Sequence, residues 1–329
     1  MKFGSVTTHL ALGAVLAHSM ALPKGRLRKG LVLDQGDIDA LLAAGHADVT
    51  VAQIEAGDVP ENAAADALAD AMLEGSVGLR RSVAFTGRVN LIAETAGVAV
   101  LDVSALDAVN GVDPMITVAT VPAHHQLRAG DLVATIKIIS YAVPEVALND
   151  AVEKAQGAAR LAAPVLASAT LIITEIPGGA GDKGRQAIED RLTALDVALT
   201  SVQMTTHHED ALQAAIEAAD TPLVLILTGS ATSDIDDVAP AALVQAGGHV
   251  TRFGMPVDPG NLLFLGTLGQ QQVIGLPGCA RSPALNGADW VLSRVVCGVE
   301  VTSKDISAMG VGGLLKEIPT RPQPRRARS

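Results

Sequence analysis

The chain has 329 residues and a formal net charge of −11; 49% of its residues are hydrophobic, 18% are charged and 2% are aromatic. The high apolar share excludes a disordered chain, and the length fits two or three domains. With one Trp, one Tyr and four Phe, the chain has few rings to stack on bases, and its charge repels phosphate backbones. We therefore expect no nucleic-acid partner, and no apolar run reaches the roughly 20 residues of a membrane span.

The two cysteines, Cys279 and Cys297, form neither a disulfide framework nor a metal-binding spacing, which predicts reduced thiols in a cytoplasmic protein. The apolar run 10–17 is similar to a signal peptide, but the basic residues follow it rather than precede it, which favours the cytoplasm. Basic charge is concentrated at 24–29 and 321–328. We interpret both clusters as solvated loops; the alternatives are a contact to an anionic small molecule for the first and a linker end or docking peptide for the second.

Residues 1–60 are predicted to form a small β-rich N-terminal domain with one helix. Asp34 supplies a capping carboxylate and Gly45 a stop signal, and the apolar residues between them share one helical face. These apolar residues are Ile38, Leu41 and Leu42. Residues 49–51 are predicted to be a strand, and residues 57–60 a connection.

Residues 61–160 are predicted to form an α+β domain. An alanine-rich helix over 61–75 opens it. A β-rich stretch with one helical turn follows, with strands at 98–103 and 133–139 whose β-branched residues favour extended backbone. A helix over 148–161 then leads onward.

From residue 168 strands and helices alternate, which is typical of a wound, mostly parallel α/β sheet. Strands are predicted at 171–174, 197–204, 223–228, 249–253, 262–265 and 272–275. Helices are predicted at 184–195, from 208, at 234–245 and at 290–296. We assign residues 168–300 to this α/β domain and residues 301–329 to a C-terminal extension with the basic tail. Because ligands of such sheets lie at the carboxyl ends of the strands, we expect the site in the loops after 174, 228, 253 and 275.

The loop after the first of these strands carries the pattern G-x-G-x-x-G over residues 179–184. We reject a dinucleotide site, because residues 175–177 separate the strand from the glycines and the next strand ends without an acid that would hold a ribose. We interpret the loop as an anion cradle of backbone amides beside Lys183 and Arg185, with a flexible turn as the alternative.

The loop after Thr228 reads Gly-Ser-Ala-Thr-Ser and then brings the acids Asp234, Asp236 and Asp237. Acids in the first turn of a helix complement its dipole, which is one interpretation. The other is a polar pocket rim whose carboxylate holds Mg²⁺ or a pterin amine.

Two further loops place proline and glycine beside strands of the sheet. Residues 255–261 read Met-Pro-Val-Asp-Pro-Gly-Asn, and residues 275–283 read Gly-Leu-Pro-Gly-Cys-Ala-Arg-Ser-Pro. Proline fixes a turn and glycine lets a ligand approach the backbone closely, while Arg281 and Ser282 add a cation and a hydroxyl. Both segments predict ligand-contacting loops.

Other arrangements predict no chemistry. The pairs His124-His125 and His207-His208 are adjacent rather than four residues apart, so neither pair predicts a shared metal site. A Ser–His–Asp triad is not supported, since no G-x-S-x-G pattern occurs. Nothing in the sequence places a base beside Cys279, so we do not assign it as a nucleophile.

Three of these segments together resemble the molybdopterin-binding domain of molybdenum cofactor biosynthesis proteins. They are residues 228–237, 255–260 and 275–278. The corresponding loops of the molybdenum insertases run S-G-G-V-S-x-G-x-x-D, M-x-P-G-K-P and G-L-P-G-N-P. Asp237 matches the last aspartate of the first pattern. The chain departs at Ser230 and Asp234, which replace glycines, at Cys279, which replaces Asn, and in lacking the insertase lysine.

Further segments resemble a bacterial subgroup in which this domain precedes a cytidylyltransferase-like domain. They are residues 22–30, 85–91, 134–139, 278–283, 309–314 and 321–324. The subgroup continues beyond the position of Ser329, so we expect either a separate partner protein or a longer natural chain.

The resemblance implies binding of molybdopterin or its nucleotide form during molybdenum cofactor biosynthesis. It leaves two alternatives open. One is a molybdotransferase-like enzyme that inserts molybdate and releases AMP. The other is a non-catalytic scaffold that presents the cofactor to a separate cytidylyltransferase-like protein or an apo-molybdoenzyme. Whether Mg²⁺ binds and whether the chain is a homodimer also stay open.

The resemblance also implies roles for residues. Asp237 would be the catalytic residue, orienting the pterin or Mg²⁺, and Arg88, Asn90 or Lys137 would contribute from residues 1–160. The implied cofactor-binding residues are Gly179, Gly181, Lys183, Gly184, Thr228, Gly229, Ser230, Thr232, Ser233, Asp234, Pro256, Asp258, Pro259, Gly260, Asn261, Gly275, Pro277, Gly278, Cys279, Arg281 and Ser282.

Overall fold

The computed structural model describes residues 1–315, so the basic tail at 321–328 lies outside the described residues. The chain groups into two compact units. The first contains residues 1–94, 99–123 and 129–161, and the second contains residues 95–98, 124–128 and the chain from 162 on. The finer division into four segments stays a prediction.

The chain up to residue 162 forms short strands and four α-helices. The strands are β1 (Lys2–Thr7), β2 (Val15–Leu16), β3 (Met20–Ala21), β4 (Arg26–Leu27), β5 (Asp48–Gln53), β6 (Asp58–Pro60), β7 (Leu79–Arg81), β8 (Arg88–Ala93), β9 (Gly97–Leu101), β10 (Ile116–Thr120), β11 (Gln126–Leu127), β12 (Leu132–Ile138), β13 (Ala142–Pro144) and β14 (Ala159–Ala162). The helices are α1 (Gln35–Ala43), α2 (Glu61–Met72), α3 (Val103–Asn110) and α4 (Glu145–Ala155).

Helix α1 begins where the sequence predicts, because Asp34 and Asp37 form a capping box: each side chain accepts a hydrogen bond from the other's backbone amide. Ile38 and Leu41 are buried in a core that also contains residues of the apolar N-terminal run. Leu42 was expected on the same face but is 45% exposed, so that expectation is wrong. The helix therefore buries only two side chains, those of Ile38 and Leu41.

Three other expectations for the first unit are corrected. Residues 58–60, expected as a connection, are strand β6, which pairs with β13. The helix expected at 148–161 is α4, which ends at Ala155, and residues 159–162 are strand β14. The strand expected to reach residue 103 ends at Leu101, because Asp102 caps α3, which is longer than the single turn expected.

The second unit is built on a six-stranded sheet in the order β16-β15-β17-β20-β19-β18. Its strands are β15 (Ser168–Glu175), β16 (Ala198–Thr206), β17 (Leu223–Leu227), β18 (His249–Phe253), β19 (Phe264–Leu268) and β20 (Gln271–Leu276). Its helices are α5 (Arg185–Thr193), α6 (Glu209–Glu217), α7 (Val238–Gln245), α8 (Gly287–Val296) and α9 (Ser303–Ala308). Neighbours β16, β15, β17 and β20 are parallel, and β19 runs opposite to both β20 and β18. The predicted mixed α/β architecture with a mostly parallel sheet is confirmed.

The central strands β15 and β17 of this sheet are apolar and buried on both faces. Ile172, Ile226 and Val273 pack in one cluster with residues of α6 and α7. Their neighbours along the strands, such as Leu171 and Leu225, face the other way and are also fully buried. The longest α-helix in residues 1–315 is the 12-residue α2, well below the length that a bilayer requires.

Candidate functional site

Five strands of the second unit point the same way, so the loops after them meet at one edge of the sheet. Four of these loops contain the predicted site residues. We call residues 176–184, after β15, the first loop, and residues 228–237, after β17, the second loop. Residues 254–261, after β18, are the third loop, and residues 277–286, after β20, are the fourth loop.

Arg281 joins three of these loops. It lies in a 3₁₀ helix at Gly278–Arg281 in the fourth loop. Its guanidinium donates hydrogen bonds to the carbonyl oxygens of Gly181 at 3.1 Å and Lys183 in the first loop, and to that of Thr228 at 3.0 Å in the second. Burial lowers the pKa of Arg281. Because three of its donor contacts go to backbone carbonyls, Arg281 positions the loops as much as it supplies charge.

The first loop approaches Arg281 so closely that only glycine fits at its end. Gly184 has a φ of 99°, and a Cβ built there would lie 2.6 Å from Arg281 Cα. Both facts exclude an L side chain at the entry to α5. Lys183 and Arg185, on either side, are exposed, so their charges stand beside the loop backbone.

A second arginine, Arg191 of α5, fixes the fourth loop. Its Nε pairs with Asp289 at 2.6 Å, and the two side chains are only 10% and 14% exposed. Its terminal nitrogens donate to the carbonyl oxygens of Ala280, Ser282 and Ala284. No local sequence pattern predicts this contact, because Arg191 and the loop are about 90 residues apart.

The second loop is folded back by Asp237. One carboxylate oxygen accepts the Ser233 amide at 2.9 Å, and the other accepts the Val238 amide at 2.8 Å as the cap of α7. The Ser233 amide is the main cause of a lowered Asp237 pKa, with further lowering from Val238 and nearby His207. Asp237 is thus engaged in holding the loop and capping α7. The helix was expected from residue 234 with acids in its first turn, but it begins at Val238 and its first turn contains no acid.

Several backbone amides in the second loop lack a protein partner. In the described part of the chain, the amides of Ser230, Ala231 and Thr232 donate no hydrogen bond to other residues. Ser230, Ser233 and Asp234 are exposed, whereas Thr232 is buried. The stretch 230–232 therefore offers unpaired donors at the edge of the sheet.

The third loop is held by hydrogen bonds to residues near the end of the described chain, whereas the first and second loops are held by Arg281. The Asp258 amide donates to Gly313 O at 2.8 Å, and Leu315 N donates to Asp258 O at 2.9 Å. Pro259 and Gly260 are buried against the start of α8, where the Gly287 amide donates to Pro259 O. Among residues 1–315, no hydrogen bond joins this loop to the first or second loop. Pro256 and Asn261 remain exposed.

The remaining predicted residues lie in or beside the fourth loop. Gly275 is in β20 opposite Phe264, Pro277 is buried, and Gly278 and Ser282 are exposed. Cys279 is half-buried and makes interactions of its own. The structure thus brings the predicted residues of the first, second and fourth loops together around Arg281, and places those of the third loop beside α8.

A magnesium site was an open alternative. No cluster of three or more His, Cys, Asp or Glu side chains suited to a metal occurs in the described residues. Both oxygens of Asp237 already accept amide hydrogens. The donor set at this edge does not fit Mg²⁺.

Two residues that matter here were not among the predicted ones. Thr174, the last buried residue of β15, accepts the Gly229 amide at 2.8 Å, and His207, after β16, lies 2.9 Å from its hydroxyl through Nδ1. A polar residue inside an apolar strand was the available signal for Thr174. His207 was considered only as half of a metal-binding pair.

A family model described as a domain of unknown function, DUF8806, matches residues 5–53 of this chain. No curated protein matches the chain. Several solved structures are similar to it. One, titled molybdopterin biosynthesis MoeA protein from Pyrococcus horikosii, is 13% identical with a TM-score of 0.33, over 91% of this chain and 75% of the other.

The second is titled molybdenum cofactor biosynthesis protein B. It is 18% identical with a TM-score of 0.28, over 40% of this chain and 88% of its own. The third is a molybdenum cofactor biosynthesis protein from Pyrococcus furiosus. It is 14% identical with a TM-score of 0.23, over 85% of this chain and 59% of its own. At these scores the similarity assigns no function to the present chain.

Proposed function

We propose that the chain binds molybdopterin or its nucleotide form at the carboxyl edge of the six-stranded sheet and serves molybdenum cofactor biosynthesis. The observation that carries the proposal is the meeting of the first, second and fourth loops around Arg281. The second and fourth of these carry the sequence resemblance to molybdopterin-binding domains. A ligand at this edge would meet these two motifs together.

The chemistry of the edge suits an anionic ligand. The free amides of 230–232 are hydrogen-bond donors, and two exposed cations lie nearby in sequence order along the neighbouring segment, Lys183 in the first loop and Arg185 at the start of α5. Donors of this kind bind phosphate oxygens, as loops at helix N-termini do. The phosphate of molybdopterin is such a group.

Of the two alternatives, the bonding of Asp237 favours the scaffold. The carboxylate implied as catalytic caps α7 and fixes Ser233, so it is engaged in positioning the loop. A scaffold would hold the cofactor and pass it to a cytidylyltransferase-like protein or an apo-molybdoenzyme. An enzyme would release AMP from adenylylated molybdopterin in the presence of molybdate.

The test is anaerobic incubation of the pure protein with molybdopterin and, separately, with its adenylylated form. Bound pterin is separated by gel filtration, oxidised and detected by fluorescence, and free AMP is quantified. We expect bound pterin and no AMP release. Molybdate-dependent AMP release would establish the enzyme instead, and absence of bound pterin would overturn the assignment of the site.

A charge variant locates the binding. Ser230→Glu adds a carboxylate beside the free amides of an exposed loop, and we expect it to weaken pterin binding about tenfold or more through repulsion of the ligand's anionic oxygens. The matched control is Ala214→Glu, which adds the same charge at an exposed position on α6. Equal affinities for the two variants would contradict the location.

A further inference from the structure

A fully buried hydroxyl connects the second loop to the neighbouring strand. Thr174 Oγ1 lies 2.8 Å from the Gly229 amide nitrogen and 2.9 Å from His207 Nδ1. The backbone of Gly229 lies against the same strand, since a Cβ there would be 2.8 Å from Thr174 O. The entry of the second loop is therefore held against β15.

His207 is attached to β15 at two points. Its backbone amide donates to Glu175 O at 3.0 Å, and its ring reaches Thr174. The residue thus stands between the end of β15 and the start of the second loop at Gly229.

The direction of these hydrogen bonds follows from the chemistry of the groups. The Gly229 amide can only donate, so Thr174 Oγ1 accepts from it. The hydroxyl proton then needs an acceptor, and within residues 1–315 the other partner of this oxygen is His207 Nδ1. A buried donor without an acceptor is costly, so Thr174 donates to Nδ1. Nδ1 then carries no proton, and the ring proton is on Nε2.

We propose that His207 is a positioning residue of the second loop. By accepting the Thr174 proton at Nδ1, it orients the hydroxyl that holds the Gly229 amide, and so fixes the start of the stretch 230–232. The ligand in this inference rests on the proposed function, whereas the hydrogen-bond chain belongs to the unliganded protein.

The first test uses the unliganded protein. Long-range proton–nitrogen NMR on protein labelled at histidine nitrogen reports which ring nitrogen of His207 carries the proton, and we expect Nε2. Deuterium exchange of the Gly229 amide is the second readout. We expect Thr174→Val and His207→Ala to speed this exchange about tenfold or more, because each removes one link of the chain.

Conservative variants separate positioning from packing. Thr174→Ser keeps the hydroxyl, and His207→Asn places an amide oxygen near the position of Nδ1; both should exchange like the natural protein. His208→Ala is the matched control, since the His208 side chain is 71% exposed and does not contact Thr174. A proton on Nδ1, or unchanged Gly229 exchange in His207→Ala, would overturn the inference.

The second test measures molybdopterin affinity in the same variants. We expect Thr174→Val and His207→Ala to bind about tenfold more weakly, with Thr174→Ser, His207→Asn and His208→Ala unchanged. If the NMR results are as expected but neither the natural protein nor any variant binds pterin, the proposed function is wrong and the positioning role stands. Pterin binding that does not change in His207→Ala would remove the positioning role and leave the function.

Discussion

Gly184 shows how tightly single residues constrain the candidate site. Its φ is left-handed, and a Cβ added there would lie 2.6 Å from Arg281 Cα, because the backbone of the first loop packs directly on Arg281. Each of these two features disfavours an L side chain at this position. The last glycine of the G-x-G-x-x-G pattern thus has a packing cause. The pattern therefore does not require a nucleotide to explain it.

This geometry predicts that Gly184→Ala destabilises the protein. A left-handed L residue costs about 1–2 kcal/mol and overpacking about 1–3 kcal/mol, so we expect a loss of about 2–5 kcal/mol in the free energy of unfolding. Urea unfolding followed by circular dichroism measures it. Gly278→Ala is the control, since nothing lies within 4 Å of a Cβ there. Similar losses in both variants would contradict the explanation.

Asp237 gives a second prediction at the residue scale, with a defined pH dependence. Asp237→Ala removes a helix cap and the Ser233 contact, so we expect a loss of about 1–2 kcal/mol at neutral pH. The pKa of Asp237 is lowered in the folded chain, so its contribution is complete above the ordinary carboxyl value of 3.8. It is lost as the pH falls through the lowered pKa, and the two proteins should then converge in stability.

Urea unfolding of both proteins over a pH series checks this convergence. Asp236→Ala is the matched control, because it removes a carboxylate at the neighbouring position. The Asp236 side chain is exposed and makes no hydrogen bond within residues 1–315. A stability difference for Asp237→Ala that stays constant into acid would show that the carboxylate is not the stabilising group.

At the scale of elements, Arg191 connects α5 to the fourth loop. Its ion pair with Asp289 is nearly buried, and its other nitrogens satisfy loop carbonyls. Removing one partner of a buried pair leaves the other uncompensated, so Arg191→Ala should lose about 3–5 kcal/mol. Arg185→Ala, an exposed position in the same helix, should change stability by less than about 0.5 kcal/mol. Urea unfolding compares them, and equal effects would contradict the role of Arg191.

The elements that the sequence predicts well are those with local signals. The unbroken apolar run of β17 predicts a strand buried on both faces, and the capping carboxylate of Asp34 predicts the start of α1. Strand β6 was missed because its partner, β13, lies over 80 residues away. Strand β14 was merged with a helix because Ala-Arg-Leu-Ala suits both, although Gly157, with a φ of 64°, marks the end of α4.

For the site too, features with local sequence signals are predictable and long-range contacts are not. The four loops could be found from the sequence, since ligands of parallel sheets lie at their carboxyl ends. The contacts of Arg281, Arg191 and His207 could not, because each joins residues 33 or more positions apart within a tertiary arrangement that no local pattern encodes. Sequence motifs therefore predicted the place, and only the structure distinguishes residues that position the loops from those left free for a ligand.

At the scale of the whole molecule, the chain order and the units do not coincide. The second unit includes residues 95–98 and 124–128, where the start of β9 pairs with β11 far upstream of the six-stranded sheet. Within this unit, burial raises the pKa of the Cys297 thiol, directly after α8, to about 11, against a smaller lowering by the Val98 backbone. A cut at residue 162 would therefore not release a complete second unit.

We accordingly expect a fragment that starts at residue 162 to be less stable than the full chain and to expose Cys297. Trp290 and Cys297 both report on α8, one by fluorescence during urea unfolding and the other by its rate of reaction with a thiol reagent. In a Cys279→Ser background Cys297 is the only thiol, since the chain has two cysteines. The full chain with the same substitution is the control, and its thiol should react slowly because burial disfavours the thiolate. A fragment with the same unfolding midpoint and the same slow reaction would show that residues 95–98 and 124–128 are dispensable to the second unit.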